Sequence, residues 1–216
     1  MGRRVKLEKE AISKKVKELL DKVEKRNFTQ TVELVLNFQG IDVEDSKYKL
    51  NLNVHLPKGR GKDVSIGYFA EGDMNVRAKE ISKHVYNKAN IDELSKNRRT
   101  MRKIAGECYA FIAQADLMAV VGKSWGIVLG PRGKMPQPVP PNADLTQVTE
   151  RMKNSVRVRT KKSPTIQIPV GTESQGADDL TANIMAILSA IERQITEDNI
   201  RSAYVKTTMS DAVRLW

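Results

Sequence analysis

The stretch Pro57-Lys58-Gly59-Arg60-Gly61-Lys62 divides the chain into two patterns. A helix breaker, glycines and cations packed this closely make a turn or linker, not the interior of an element. Before it, apolar and polar residues alternate. Val32, Leu34, Leu36 and Phe38 share one side of a segment whose other side carries Thr31, Glu33 and Asn37. Leu50, Leu52, Val54 and Leu56 repeat that period against Asn51, Asn53 and His55. A period of two is that of a half-buried strand, and the two segments are expected to pair antiparallel across the polar 42–49 connection. Further upstream, Ile12, Val16, Leu19, Leu20 and Val23 recur at helical spacing, predicting an amphipathic helix over 6–25 with a basic outer face.

After the linker the pattern changes. Val64 to Phe69 and Cys108 to Ala113 read as buried strands, and 76–86, 92–107, 116–121 and 144–154 as helices, with a proline-rich stretch from Pro131 to Pro141. Strands alternating with helices predict a parallel sheet with helical cover, here Rossmann-like. Alternation returns in Val156-Arg157-Val158-Arg159 and Thr165-Ile166-Gln167-Ile168, joined by a basic, hairpin-like turn. A strong helical stripe of Leu180, Ile184, Ile187, Leu188, Ile191 and Ile195 follows over 177–195, with Asp178 and Asp179 at its positive end. Strands over 204–208 and 212–215 close the chain. The two ends share one style and the middle has another, as expected if a second domain interrupts the first. The boundaries fall at 1–65 with 156–216 for domain one and at 66–155 for domain two.

The formal charge of +11, from 37 Lys and Arg against 26 Asp and Glu, predicts a surface that attracts a polyanion, nucleic acid foremost. An aromatic content of 5% argues against a surface that grips single strands mainly by stacking. Cys108 lies in an apolar run and reads as a core thiol; His55 and His84 stand apart from any ligand cluster, so no cofactor or metal is expected. The opening residues lack the apolar core of a signal peptide, and no stretch approaches a membrane span, so a cytoplasmic, membrane-free protein is expected.

Gly122-Lys123-Ser124 ends like a phosphate-binding loop, but that motif needs a glycine where Leu117 stands. With no paired carboxylates standing out either, an enzyme is not supported. In Leu129-Gly130-Pro131-Arg132-Gly133-Lys134-Met135-Pro136, glycines and prolines fix a backbone course that holds Arg132 and Lys134 close together. Those cations either meet phosphates or sit solvated on a structural loop. Near the end, Ser202, Thr207, Thr208 and Ser210 gather hydroxyls on and just after a strand, with Met209 among them. Such groups can bond phosphate oxygens and the 2′-hydroxyl that marks RNA, or form an ordinary solvated strand face. The same choice applies to Thr31 and Glu33.

These residues resemble the ribosomal protein L-one family over nearly the whole chain. The 129–136 stretch is similar to the family's signature loop, and Arg26-Asn27-Phe28-Thr29-Gln30 and Pro138-Val139-Pro140-Pro141 resemble its archaeal branch. Ser202-Ala203-Tyr204-Val205-Lys206-Thr207-Thr208-Met209 resembles the strand and turn at its RNA site. The resemblance implies an α/β fold of two domains: a discontinuous split α/β sandwich and an inserted Rossmann-like three-layer α/β/α domain. It implies a ribosomal location, binding to stalk ribosomal RNA of the large subunit near the exit site, help in releasing deacylated tRNA, and repression of the protein's own mRNA, by a monomer when free. A repressor for which ribosome binding is secondary is the alternative, with a nucleotide-holding enzyme behind it. The implied RNA contacts are Phe28, Thr31, Glu33, Ser202, Thr208 and Met209, with Gln167 at a further position. Glu33 either accepts from a base or a 2′-hydroxyl or orients Thr31 or Thr208. Where the family usually follows Thr-Met with Gly-Pro, this chain has Ser210-Asp211. Serine resists the backbone angles that glycine permits, and Asp211 adds an anion near where phosphate is expected, so both the turn and the affinity are expected to differ.

Overall fold

The computed structural model describes residues 9–42, 45 and 47–216. Along the chain run α1 (Lys9–Lys22), β1 (Thr31–Phe38), β2 (Asn51–His55), β3 (Ser65–Phe69), α2 (Gly72–Ile81), β4 (Val85–Tyr86), α3 (Lys88–Ser95), α4 (Arg98–Glu107) and β5 (Cys108–Gln114). Then come α5 (Met118–Ser124), α6 (Gly126–Leu129), β6 (Gln137–Val139), α7 (Leu145–Lys153), β7 (Ser155–Arg159), β8 (Thr165–Thr172), α8 (Ala177–Glu192), β9 (Ile200–Thr207) and β10 (Val213–Arg214). The class is mixed α/β, as expected. Two compact units form, one from Met1–Lys62 with Asn154–Trp216 and one from Asp63–Lys153.

In the first unit an antiparallel sheet runs in the order β10-β9-β1-β8, beside a separate antiparallel pair, β2 with β7. The expected pairing of β1 with β2 is wrong. β1 has β8 on one edge and β9 on the other, so no edge is left for β2. The hairpin expected between β7 and β8 is also absent from the pairing, because β7 bonds β2 from Asn51↔Arg159 to His55↔Ser155. Alternation identifies a strand's buried face but says nothing of its neighbours. The inward residues of β1, Val32, Leu34, Leu36 and Phe38, are all buried against Ile12, Val16 and Leu19 of α1 and Leu180, Ile184 and Ile187 of α8. Both helices belong to the core on that one face of the sheet.

The Pro57–Lys62 stretch is anchored within this unit. Gly59 and Gly61 adopt φ of 66° and 68°, the left-handed region that glycine tolerates without strain. The fully buried Asn183 accepts from the Lys58 amide at 3.0 Å and donates to the carbonyls of Gly59 at 2.9 Å and Val170 at 2.8 Å.

The second unit is a parallel sheet in the order β4-β3-β5-β6. One face carries Phe69 and Phe111 against α3, α4, α5 and α6 around the fully buried Trp125; the other packs Ile66, Tyr68 and Ile112 against α2 and α7. Two sequence expectations need correction. The helix expected over 76–86 runs from Gly72 to Ile81 and stops at Ser82, whose hydroxyl donates to the Ile66 carbonyl at 2.7 Å. β4 then forms beside β3. The helix expected over 92–107 is two helices, because the Asn97 side chain accepts from the amides of Arg99 and Thr100 and starts α4 afresh. Gly122-Lys123-Ser124 lies in α5, not in a loop between strand and helix.

Cys108 is buried, as expected, and burial raises its thiol pKa to about 11, so it stays protonated at neutral pH. Gly67 faces the Phe111 ring so closely that an added Cβ would overlap it, and that ring stacks on Phe69 with centroids 5.5 Å apart. Gly67→Ala therefore forces the stack to move. It should destabilise the second unit by about 1 to 3 kcal/mol in a denaturant titration; an unchanged midpoint would mean that the aromatic stack yields freely.

Candidate nucleic-acid interface

With α1 and α8 on one face of the first unit's sheet, the opposite face carries polar groups in rows across three strands. The register sets Pro169, Glu33 and Lys206 in one row, Gln167, Val35 and Tyr204 in the next, and Thr165, Asn37 and Ser202 in the third. Pro169 is tolerated because β8 is an edge strand. The third row is a hydrogen-bonded ladder: Thr165 Oγ1 donates to Asn37 Oδ1 at 2.9 Å, and Asn37 Nδ2 donates to Ser202 Oγ at 3.0 Å.

At the end of β1 this face meets the turn that follows β9. The organising group is Gln30, only 2% exposed. Its Oε1 accepts from Thr207 Oγ1 at 3.0 Å and from the Met209 amide at 3.1 Å, while its Nε2 donates to the Glu24 carbonyl at 3.1 Å. Its own amide donates to Glu173 Oε1, and its carbonyl accepts from the Glu173 amide, each at 3.0 Å. Through its carboxamide Gln30 thus ties the segment after α1 to the turn after β9, and through its main chain it holds Glu173 just beyond β8. Sequence reading had Gln30 only as part of a motif. A polar residue directly before an alternating strand was the available signal, but its burial was not legible.

The expected contact residues divide by exposure. Phe28 and Met209 are 50% and 61% exposed, large apolar groups held open beside Gln30. Thr208 receives the Thr31 amide at 3.2 Å, so the two threonines are joined across the strand ends. Glu33 lies opposite Lys206; it is the Thr31 main chain, not Glu33, that orients Thr208. Gln167 is exposed on β8. Thr207 is fully buried, with its hydroxyl turned inward to Gln30, so it positions the turn and does not present a group to a partner. Ser202 is 7% exposed and sits within the polar ladder. Tyr204 and Lys206, missed in the sequence reading although they alternate along β9, share the open face with Glu33 and Gln167.

Ser210 resolves the question raised by the missing glycine. Among the described residues no non-glycine has positive φ, so Ser210 sits in the turn without left-handed strain. Its Oγ accepts from the Thr207 amide at 2.9 Å and donates to the Asp211 carbonyl at 2.9 Å, closing the turn from within.

Two grooves flank Gln30. One, of about 550 Å³, lies between α1 and the 209–214 turn; the other, of about 520 Å³, is lined by Phe28, Asn27 and Glu173. In the first, Glu18 bridges Lys15 and Lys22, whose hydrogen bonds lower its pKa to about 2. Arg132 and Lys134 lie in the second unit. Lys134 is half-buried and donates to the carbonyls of Ala105 at 2.8 Å and Cys108 at 2.6 Å, closing the end of α4; its pKa is lowered by burial. Arg132 is exposed and donates to the Arg102 carbonyl at 2.9 Å. Among the described residues no His, Cys, Asp and Glu cluster is arranged to hold a metal, and no helix is long and apolar enough to cross a membrane.

An α/β chain that leaves one sheet face polar and open is of the class that meets a partner over a surface. The model of the Ribosomal protein L1p/L10e family matches residues 20–211. The protein of Methanothermococcus thermolithotrophicus named large ribosomal subunit protein uL1 is 41% identical over 211 residues, 97% of this chain and 99% of the relative. Proteins of that name from Thermoplasma acidophilum and Methanocaldococcus jannaschii are 38% and 39% identical, covering 94% and 97% of this chain and 95% and 96% of their own. The chain belongs to the ribosomal protein L1p/L10e family, and the archaeal resemblance read from its motifs is borne out by these relatives.

Gln30→Ala removes the acceptor shared by Thr207 and Met209 and leaves buried donors unpaired. A loss of about 1 to 3 kcal/mol is expected in urea unfolding, with faster amide exchange at Met209. Wild-type protection at Met209 would show that the turn holds its shape without Gln30.

Proposed function

We propose that this chain is a structural constituent of the large ribosomal subunit, located on cytoplasmic ribosomes and not an enzyme, that binds a folded element of ribosomal RNA at the mobile stalk near the exit site. The observation that carries this reading is the Gln30-anchored turn, which holds the Thr208 hydroxyl against Thr31 and leaves Met209 and Phe28 open beside it. A hydroxyl fixed in this way can exchange hydrogen bonds with a 2′-hydroxyl or a phosphate oxygen, while exposed apolar groups cover sugar or base faces. Thr31, Glu33 and Gln167 extend the contact along the open sheet face. Thr207, Ser202 and Ser210 act behind it by holding the turn and the ladder in shape.

On this reading domain one of the family pattern carries the specific contact and domain two adds phosphate contacts through Arg132, with Lys134 supporting that surface from beneath. The same contact surface serves for repression of the protein's own mRNA, and on the ribosome the stalk helps deacylated tRNA leave the exit site. The free protein is taken to be a monomer.

Thr208→Val keeps the shape of the side chain and removes its hydrogen bonds. It should weaken binding to a ribosomal RNA stalk fragment by about 1 to 3 kcal/mol without lowering the melting temperature appreciably. Affinity equal to wild type in a filter-binding titration would remove Thr208 from the contact. Competition between that fragment and the leader of the protein's own mRNA ranks the two RNA targets: stronger displacement by the leader would make repression the primary role.

A further inference from the structure

We propose that the outer face of α4, with Arg132 beside it, is a second RNA-binding surface that grips the phosphate backbone of a duplex independently of sequence. The choice of RNA as occupant rests on the function proposed above. The surface belongs to the second unit, whereas the Gln30 turn belongs to the first.

α4 is fixed by its inner face, where Met101, Ile104 and Ala105 are buried in the core. Its outward face carries Arg98, Arg99, Arg102 and Lys103, all exposed. Among the described residues none of the four enters an ion pair, in contrast to Lys15, Lys22 and Arg26 on the first unit. Arg98 pairs in helical register with Arg102, and Arg99 with Lys103, so like charges stand four residues apart, a spacing of about 6 Å along the axis. The first turn holds no carboxylate, although the helix end there is already positive and the two arginines raise that charge further.

The last turn adds an independent observation. Gly106 sits in the helix on the same side as Arg102, and a Cβ added to it would meet nothing within 4 Å. No packing requirement explains a residue that weakens a helix. Arg132 reaches that level of the helix by donating to the Arg102 carbonyl, which fixes its guanidinium beside the stripe. Unbalanced cations in the first turn, like-charge pairs and an open glycine each work against the helix. Together they form a cationic ridge, with Glu107 at the last residue of the helix its single carboxylate, and with room for a sugar-phosphate strand to come close. Local choices that oppose the fold without a packing gain are expected where a partner requires them.

The test uses the full chain, with Arg98, Arg102 and Lys103 all changed to Gln, and a blunt-ended RNA duplex of unrelated sequence as probe. Binding is followed by fluorescence anisotropy across a range of KCl concentrations. The variant should melt no lower than wild type, since only repulsion is removed. Its plot of log Kd against log salt should be shallower by about 2 to 3, with affinity at moderate salt reduced roughly tenfold or more. Gly106→Glu, which places a carboxylate in open space on the ridge, should weaken the same binding while leaving the circular dichroism spectrum unchanged. No duplex binding by wild type, or an unchanged slope in the triple variant, overturns the proposal. Thr208→Val should leave the duplex slope untouched and act only on the stalk fragment. A silent Thr208→Val beside an altered α4 slope therefore removes the first site and keeps this one, and the converse removes this one alone.

Discussion

β1 has both of its edges filled by strands that follow it by more than a hundred residues of sequence. Val35 faces Gln167 on one side and Tyr204 on the other, and the same pattern holds from Val32 to Asn37. A strand in that position can be completed only after the chain has left the first unit, passed through 63–153 and returned. The second unit has no such debt to distant sequence, since β3, β4, β5 and β6 all lie between residues 65 and 139. Non-local closure is slow because loop entropy must be met before contacts reward it, so the second unit is free to form while β1 still waits for its neighbours. Asn183 marks where the return is registered. Its buried amide is satisfied by Lys58 and Gly59 before the insertion and by Val170 after it.

The same constraint produces the candidate interface. With α1 and α8 both in the core on one side, the inward residues of β1 are consumed and its outward residues are left to a polar face. The turn after β9 is then drawn to the end of β1 by Gln30, because β9 is β1's direct neighbour. Arrangement of the site is therefore a consequence of strand order, with Gln30 and Glu173 fixing the last few ångströms.

Much of this was legible in the sequence, and what was not has definite causes. Alternation in Thr31–Phe38 and the apolar stripe of α8 gave both elements their bounds or nearly so, since period reports burial. Partner choice was not legible: β2 and β7 have the same alternation as β1 and β8, and only packing on a shared core decides which pair forms. The break between α3 and α4 was readable in principle, as Asn97 is a good N-cap, but the surrounding basic run masked it. At the site, the residue types were found while their orientation was not. Thr207 and Thr208 are adjacent and identical in chemistry, yet strand alternation buries the first and leaves the second at the surface. Lys134 looked like an equal of Arg132, but it turns inward to the carbonyls that end α4.

The Ser210-Asp211 pair shows how charge and specificity are separated. A serine hydroxyl has one proton to give and lone pairs to receive, and here it gives to Asp211 and receives from Thr207, doing through its side chain what a glycine would allow the backbone to do. Asp211 lines the groove beside α1, where Glu18 already holds Lys15 and Lys22, and Glu24 holds Arg26. Cations and carboxylates in that groove largely offset each other, so its field is weak and an added carboxylate does little to repel a phosphate at a distance. A surface close to neutral cannot hold RNA by attraction alone; it can discriminate through the placement of a few hydroxyls and apolar groups. The net charge of +11 must then express itself elsewhere on the molecule, and α4 is a place where four exposed cations stand with a single carboxylate, Glu107 at the helix's last residue.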